Sequence, residues 1–250
     1  MNRLLLILAA FLVLPGPLSA EEGKVVRVAV VVGNNHGTAA QEGLRYAESD
    51  ASRMRDVLLK LAGFKEDNVY LLLGRDHDEL EQALQDVELR FEGTDAQLFF
   101  LFYFSGHSDG YHLEMNGEPV PFEVVRRWLS NTGAKVTVVV LDACHSGQLI
   151  SVKGMRPGPS FDVDMEGDLR AEGTAIITSS AVGERAQESG RIQGAFFTHH
   201  LVSGLYGAAD SNGDLKVSLS EVYAYAYGRT LADTLESLAG TQHPSYSYRL

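Results

Sequence analysis

Leu98 to Phe104 reads LFFLFYF and runs directly into Ser105-Gly106-His107-Ser108-Asp109-Gly110. A run of aromatic and aliphatic residues like this has no polar side to offer water, so a strand built from it must be covered on both faces. Val25 to Val32 (VVRVAVVV), Val69 to Leu73 (VYLLL), Val136 to Leu141 (VTVVVL) and Thr174 to Thr178 (TAIIT) have the same character. Between these runs apolar residues recur at helical spacing: Ala51, Met54, Val57, Leu58 and Leu61, then Leu80, Leu84, Val87 and Phe91, then Val124, Val125, Trp128 and Leu129. Strand and helix alternate, and the connections are too long for hairpins. An α/β fold with a mainly parallel central sheet between helical layers follows. Asn116-Gly117 marks one short hairpin inside that pattern.

The rhythm breaks from Ser151 to Gly173, a stretch rich in Gly, Pro and acidic residues that reads as an exposed loop between a larger N-terminal and a smaller C-terminal part of one domain, residues 21–250. Lys153, Arg156 and Arg170 make the loop a candidate for self-cleavage, with Pro157 disfavouring the bond after Arg156. Beyond it, helices are expected from near Phe196 and Leu219. At the other end, residues 1–20 have the build of a secretory signal: Arg3, the apolar run Leu4 to Leu14, then Pro15 to Ala20 as a breaker with a small last residue. The run is short for a bilayer crossing, which predicts a periplasmic or secreted product with no stable membrane insertion after cleavage. With 33 acidic against 21 basic residues and a net charge of -12, a nucleic-acid partner is excluded.

Exported proteins usually pair their cysteines, yet Cys144 is the one cysteine of the chain. A lone thiol is ordinarily a small buried hydrophobe. Its surroundings argue otherwise. Val140-Leu141-Asp142-Ala143-Cys144-His145-Ser146-Gly147 closes one apolar run in a polar turn, as Ser105-Gly106-His107-Ser108 closes another. In open parallel sheets ligands bind just beyond the carboxyl ends of the strands. If the two strands are neighbours, about 4.8 Å apart, Cys144 and His107 converge on one reacting carbon. The imidazole then takes the thiol proton and returns it to the leaving amine, while the backbone N–H groups of Cys144 and Ser108 stabilise the oxyanion.

Ser105-Gly106-His107 and Asp142-Ala143-Cys144-His145-Ser146-Gly147 resemble the catalytic segments of caspase-like cysteine peptidases, metacaspases and their bacterial relatives above all. The resemblance spans nearly the whole chain after the leader. It implies a caspase-haemoglobinase-like three-layer sandwich, peptide-bond hydrolysis through a thioacyl enzyme, and no cofactor for the chemistry. Asp142 stands where caspases carry Gln, and Ser108 where these relatives commonly carry Gly. From metacaspases the resemblance further implies that Asp142, Ser105 and Asp50 line the S1 pocket for an Arg or Lys side chain, so that the partner is a peptide or protein with a basic P1 residue. Read on their own, Asp142 braces a turn, Ser105 bonds backbone and Asp50 caps a helix equally well. His145 is the weaker candidate for the base, and His199 and His200 sit in a helical pattern that suits structural roles.

Asp210 to Glu221 (DSNGDLKVSLSE) places oxygen donors at positions one, three, five, nine and twelve of an EF-hand loop, as Asp210, Asn212, Asp214, Ser218 and Glu221, with the backbone of Lys216 at position seven. Leu215 replaces the usual Gly at position six. Calcium binding and a simple turn that begins a helix at Ser218 or Ser220 are both open readings. Besides an exported endopeptidase, then, the sequence admits a catalytically weak caspase-like interaction domain, or a calcium-binding module with a vestigial site.

Overall fold

The computed structural model describes residues 25–94, 96–150, 156–157 and 172–249. The leader segment, Lys153 and Arg170 lie outside the described residues. The strands of the main sheet are β1 (Val25–Gly33), β2 (Val69–Leu73), β3 (Gln97–Ser105), β6 (Val136–Asp142), β7 (Arg156–Pro157), β8 (Gly173–Thr178) and β11 (Ser245–Arg249). They lie in the order β2-β1-β3-β6-β8-β11-β7. The first five in that order are parallel neighbours, and β11 and β7 continue the sheet antiparallel. Arg156 and Pro157, expected in an exposed loop, pair with Tyr248 and Ser247 at the sheet's far edge. An edge place tolerates the missing N–H of proline.

The two-sided apolar runs have the predicted consequence. Ala29, Val31, Phe99, Leu101, Tyr103, Val138, Val140 and Ile177 form one core with α1 (Ala47–Lys60), α4 (Phe196–Ser203) and α5 (Leu219–Thr234). Their alternates, including Val30, Phe100, Phe102, Phe104, Val139 and Leu141, form the opposite core with α2 (His77–Phe91) and α3 (Phe122–Asn131). Helices on both faces of a mainly parallel sheet make three layers, as the resemblance implied. The Asn116-Gly117 hairpin is present as β4 (His112–Met115) and β5 (Glu118–Pro121), both turn residues at positive φ. A last small ribbon, β9 (Glu188–Ser189) with β10 (Gly194–Ala195), leads into α4.

Candidate active site

β3 and β6 are parallel neighbours with Ser105 opposite Asp142, so His107 and Cys144 both lie two residues past the last paired position. Register alone therefore brings the two turns to one rim of the sheet. A bend back toward β4 fixes the first turn: Glu114 N–H donates to the His107 carbonyl at 3.0 Å, and Gly110 N–H donates to Ser108 Oγ at 3.1 Å. The Ser108 hydroxyl is thus buried and committed to its own turn. In the second turn His145 takes φ 54°, and its N–H donates to the Glu184 carbonyl at 2.9 Å. Among the described residues, neither the Ser108 nor the Cys144 backbone N–H is taken by a hydrogen bond.

Burial disfavours the charged form of both reactive groups. Burial pushes the Cys144 thiol up, opposed by the hydrogen bond from Sγ to the Ala186 carbonyl, at 3.9 Å, and by the nearby Arg185 guanidinium. Burial also lowers the His107 imidazole, opposed by its hydrogen bond to the Glu42 backbone and by the Glu188 carboxylate. His107 Nε2 is buried with no hydrogen-bond partner among the described residues. The loop before α1 closes over this ring. A Cβ at Gly37 would come within 2.7 Å of His107 Cδ2, so that position requires glycine.

Beside the pair lies a second cluster, made of acids. Asp142, 3% exposed, accepts from Thr198 through Oδ2, at 2.6 Å from the hydroxyl and 3.2 Å from the N–H. Its Oδ1 is buried with no geometric partner. Burial raises its carboxyl, and the hydroxyls of Thr198 and Ser179 work against that. Asp50 is fully buried; Oδ2 accepts from Ala195 N–H at 2.8 Å and Oδ1 from Arg53 Nη1 at 3.0 Å. Burial carries Asp50 up to about 7, with Asp142 and Glu188 adding like charge and the Ala195 N–H and Arg53 opposing. Asp50 does not cap its helix: α1 opens at Ala47 behind Tyr46, and Asp50 N–H already donates to the Tyr46 carbonyl. Ser105 is buried beside Tyr103, whose hydroxyl lies 2.7 Å from Thr198 Oγ1.

Several of these groups escaped the sequence reading. Arg185, Ala186 and Glu188 come from the segment after β8, and Thr198 from the first turn of α4. Nothing local distinguishes them in sequence, with one exception. Gly194, at the entry to an apolar helix, signals a close approach, and an added Cβ there would meet Arg53 Nη1 at 2.5 Å and Asp50 Oδ1 at 2.7 Å. His200, by contrast, fits its expected structural role: it is buried in α4, and its Nε2 lies 2.8 Å from Asp233 in α5.

The calcium-loop residues stand far from this crevice in role and exposure. Asp210 accepts from the N–H groups of Gly213 and Leu215, Asn212 from that of Asp214, and Asp214 from that of Lys216. Ser218 caps α5 in a reciprocal capping box with Glu221. Leu215 holds φ 65°, the left-handed conformation for which position six normally uses Gly. Among the His, Cys, Asp and Glu side chains of the described residues, only His77, Asp78 and Glu81 bring three ligand atoms within 4.8 Å of one another.

A thiol and an imidazole at adjacent strand ends of a three-layer α/β sandwich define the class: cysteine peptidases of the caspase type. The caspase domain family model (Peptidase_C14) matches residues 26–250, and the chain belongs to that family. Among solved structures it is similar to caspase-1 from Spodoptera frugiperda, at 16% identity and a TM-score of 0.62, over 90% of this chain and 88% of that one. No curated protein matches it in sequence.

Proposed function

We propose that the chain is an exported cysteine endopeptidase that cleaves after Arg or Lys, with Cys144 as nucleophile and His107 as general base. The observation that carries the specificity is the buried pair Asp50 and Asp142 beside the thiol, two neighbouring carboxyls in mutual repulsion that burial makes costly to ionise. A guanidinium or ammonium entering there relieves that repulsion and gains charge-assisted hydrogen bonds, whereas an entering carboxylate meets like charge.

The mechanism follows from two neutral partners. As Cys144 Sγ attacks the scissile carbonyl carbon, its proton passes to His107, and the carbonyl electron pair moves to an oxyanion held by the Cys144 and Ser108 N–H groups. Collapse breaks the C–N bond, and the imidazolium protonates the departing amine. Water, deprotonated by the same imidazole, then hydrolyses the thioester and restores the thiol. Burial that keeps thiol and imidazole uncharged at rest favours proton transfer during attack over a preformed ion pair, and protects the thiol in an oxidising compartment. The leader-like residues 1–20 support export.

Profiling a peptide library with the purified protein tests the reading. The expected result is turnover confined to basic P1 residues, abolished in Cys144→Ala and in His107→Ala and less affected in His145→Ala. A profile dominated by Asp at P1 refutes the specificity, and hydrolysis surviving in Cys144→Ala refutes the nucleophile. Unlabelled Cys144 with a mechanism-directed thiol probe would favour the interaction-domain alternative.

A second reading concerns calcium at Asp210, Asn212, Asp214, Lys216, Ser218 and Glu221. The left-handed backbone of Leu215 favours it, together with a helix that starts at loop position ten, as in an EF-hand. Calcium would there serve the fold of the loop, not the chemistry of the thiol.

A further inference from the structure

Helix α4 begins without a cap of its own. Its first turn leaves N–H groups that ordinarily bond to the side chain just before the helix, and Ala195 has no such side chain to offer. Acids from two other elements stand in. Asp50 Oδ2, from α1, accepts from Ala195 N–H at 2.8 Å, and Asp142 Oδ2, at the end of β6, accepts from Thr198 N–H at 3.2 Å. The positive end of the helix thus faces both carboxyls and offsets part of their repulsion. Thr198 adds a second bond to the same Asp142 oxygen through its hydroxyl, at 2.6 Å. That length is typical of a charge-assisted O–H···O contact. An N–H and an O–H of one residue on one oxygen hold the Asp142 carboxyl in a single orientation.

The hydroxyl of Thr198 has a partner behind it. Tyr103 Oη lies 2.7 Å from Thr198 Oγ1. An ionised carboxylate only accepts, so the Thr198 proton is committed to Asp142, and the Tyr103 hydroxyl must donate to Thr198. Tyr103 and Thr198 are both 0% exposed, so solvent cannot stand in for either hydroxyl. Ser179, just past β8, lends Asp142 a further hydroxyl. Thr198 differs from it in making two bonds, and in belonging to the same turn that holds Asp50. We infer that Thr198 is a positioning residue for P1 recognition: its hydroxyl, backed by Tyr103, keeps the Asp142 carboxylate ionised and fixed in place to receive the substrate cation. The inference rests on the reading of Asp142 as the receiver of an Arg or Lys side chain, and Thr198 acts through Asp142 and not on the substrate.

Two measurements on the full protein separate recognition of the cation from chemistry at the sulfur. Butylguanidine, which carries only the cation of a P1 side chain, should compete with an Arg-P1 peptide. Its inhibition constant should rise about tenfold or more in Thr198→Val, which keeps the shape of the side chain and lacks the hydroxyl. Thr198→Ser, which keeps the hydroxyl, should stay near wild type. Tyr103→Phe leaves both bonds to Asp142 in place and should raise the constant by less. Alkylation of Cys144 by iodoacetamide needs no P1 pocket, and its rate should be the same in wild type and in every variant. Alkylation that slows in step with the loss of inhibition would assign Thr198 to the general fold and overturn the inference. So would an inhibition constant unchanged in Thr198→Val while wild type is still inhibited. Where Thr198→Val does not fold, Tyr103→Phe decides, and an unmoved constant there overturns the inference. Wild type indifferent to butylguanidine would instead overturn the reading of Asp142 as the receiver of a cation.

Discussion

Asp50 and Glu221 are both acids near the start of a helix, and the fold treats them in opposite ways. Asp50 is sealed between α1 and the Gly194 ribbon, and desolvation pushes it up to about 7. Glu221 is half-buried at the N-terminal turn of α5; the backbone N–H of Ser218 and the hydroxyls of Ser211 and Ser218 hold it down to about 2. The capping acid is stabilised as an anion by donors already in place. The buried acid, with Asp142 beside it, holds charge at a cost that an incoming cation can relieve. Burial makes charge costly on Asp50 even though both its oxygens are bonded, and donors make it cheap on Glu221. The first is the setting proposed above for recognition of a cation, and the second is a structural cap.

The largest test of that division removes Asp142. Asp142→Ala should lower kcat/KM for basic-P1 peptides by about a hundredfold or more, because a desolvated cation then lacks its partner. Asp214→Ala, in the exposed loop, should leave the same turnover unchanged. Loss of activity from Asp214→Ala equal to that from Asp142→Ala would erase the distinction.

Next in size is the pH dependence. If Asp50 receives the substrate cation as proposed, it must be ionised, and kcat/KM for basic substrates should fall with acidification through about 7. His107, lowered by burial, titrates below its ordinary value and sets a second, more acidic limb. Asp50→Asn should remove the limb near 7 and keep the lower one, at reduced turnover. A profile unchanged by Asp50→Asn would show that Asp50 does not contact the substrate charge.

Stability should move the other way. An acid with a folded value of about 7 and an ordinary value of 3.8 binds more protons folded than unfolded between those limits, so stability falls as pH rises through that window. At pH 8 the penalty is on the order of a few kcal/mol. Asp50→Asn keeps an acceptor for Ala195 N–H and removes the buried charge. Its melting temperature should exceed that of wild type at pH 8, with the gain vanishing toward pH 4. A gain independent of pH would assign the effect to packing.

How far such divisions could be read from sequence depended on range. Val69–Leu73 was legible to the residue, and Leu98–Phe104 and Val136–Leu141 nearly so, because a strand covered on both faces must be apolar throughout. The strand Ser245–Arg249 was not, since its alternating Ser and Tyr lack that signature even though Tyr246, Ser247 and Tyr248 are buried. The meeting of the Cys144 and His107 turns at one rim was legible because each closely follows a readable strand. Thr198 and Ala186 were not: their partners Asp142 and Cys144 lie 56 and 42 residues away, brought close only by the completed sheet.

The smallest expected effect belongs to the exposed loop. Leu215 holds the left-handed conformation at an exposed position, which costs an L-residue about 1–2 kcal/mol. Leu215→Gly should recover most of that cost with or without calcium, because the relief is in the backbone and not in a ligand. Calcium itself, bound to the native loop and not to the unfolded chain, should add a further increase in melting temperature that grows with its concentration. That increase should be the same in Leu215→Gly, because the strain it relieves is present with and without the ion, and absent in Glu221→Gln, which keeps a capping side chain and lacks the carboxylate of position twelve. Equal melting temperatures in excess calcium and in chelator, for wild type and Leu215→Gly alike, would leave Asp210, Asn212 and Asp214 as turn formers and Glu221 as a cap only.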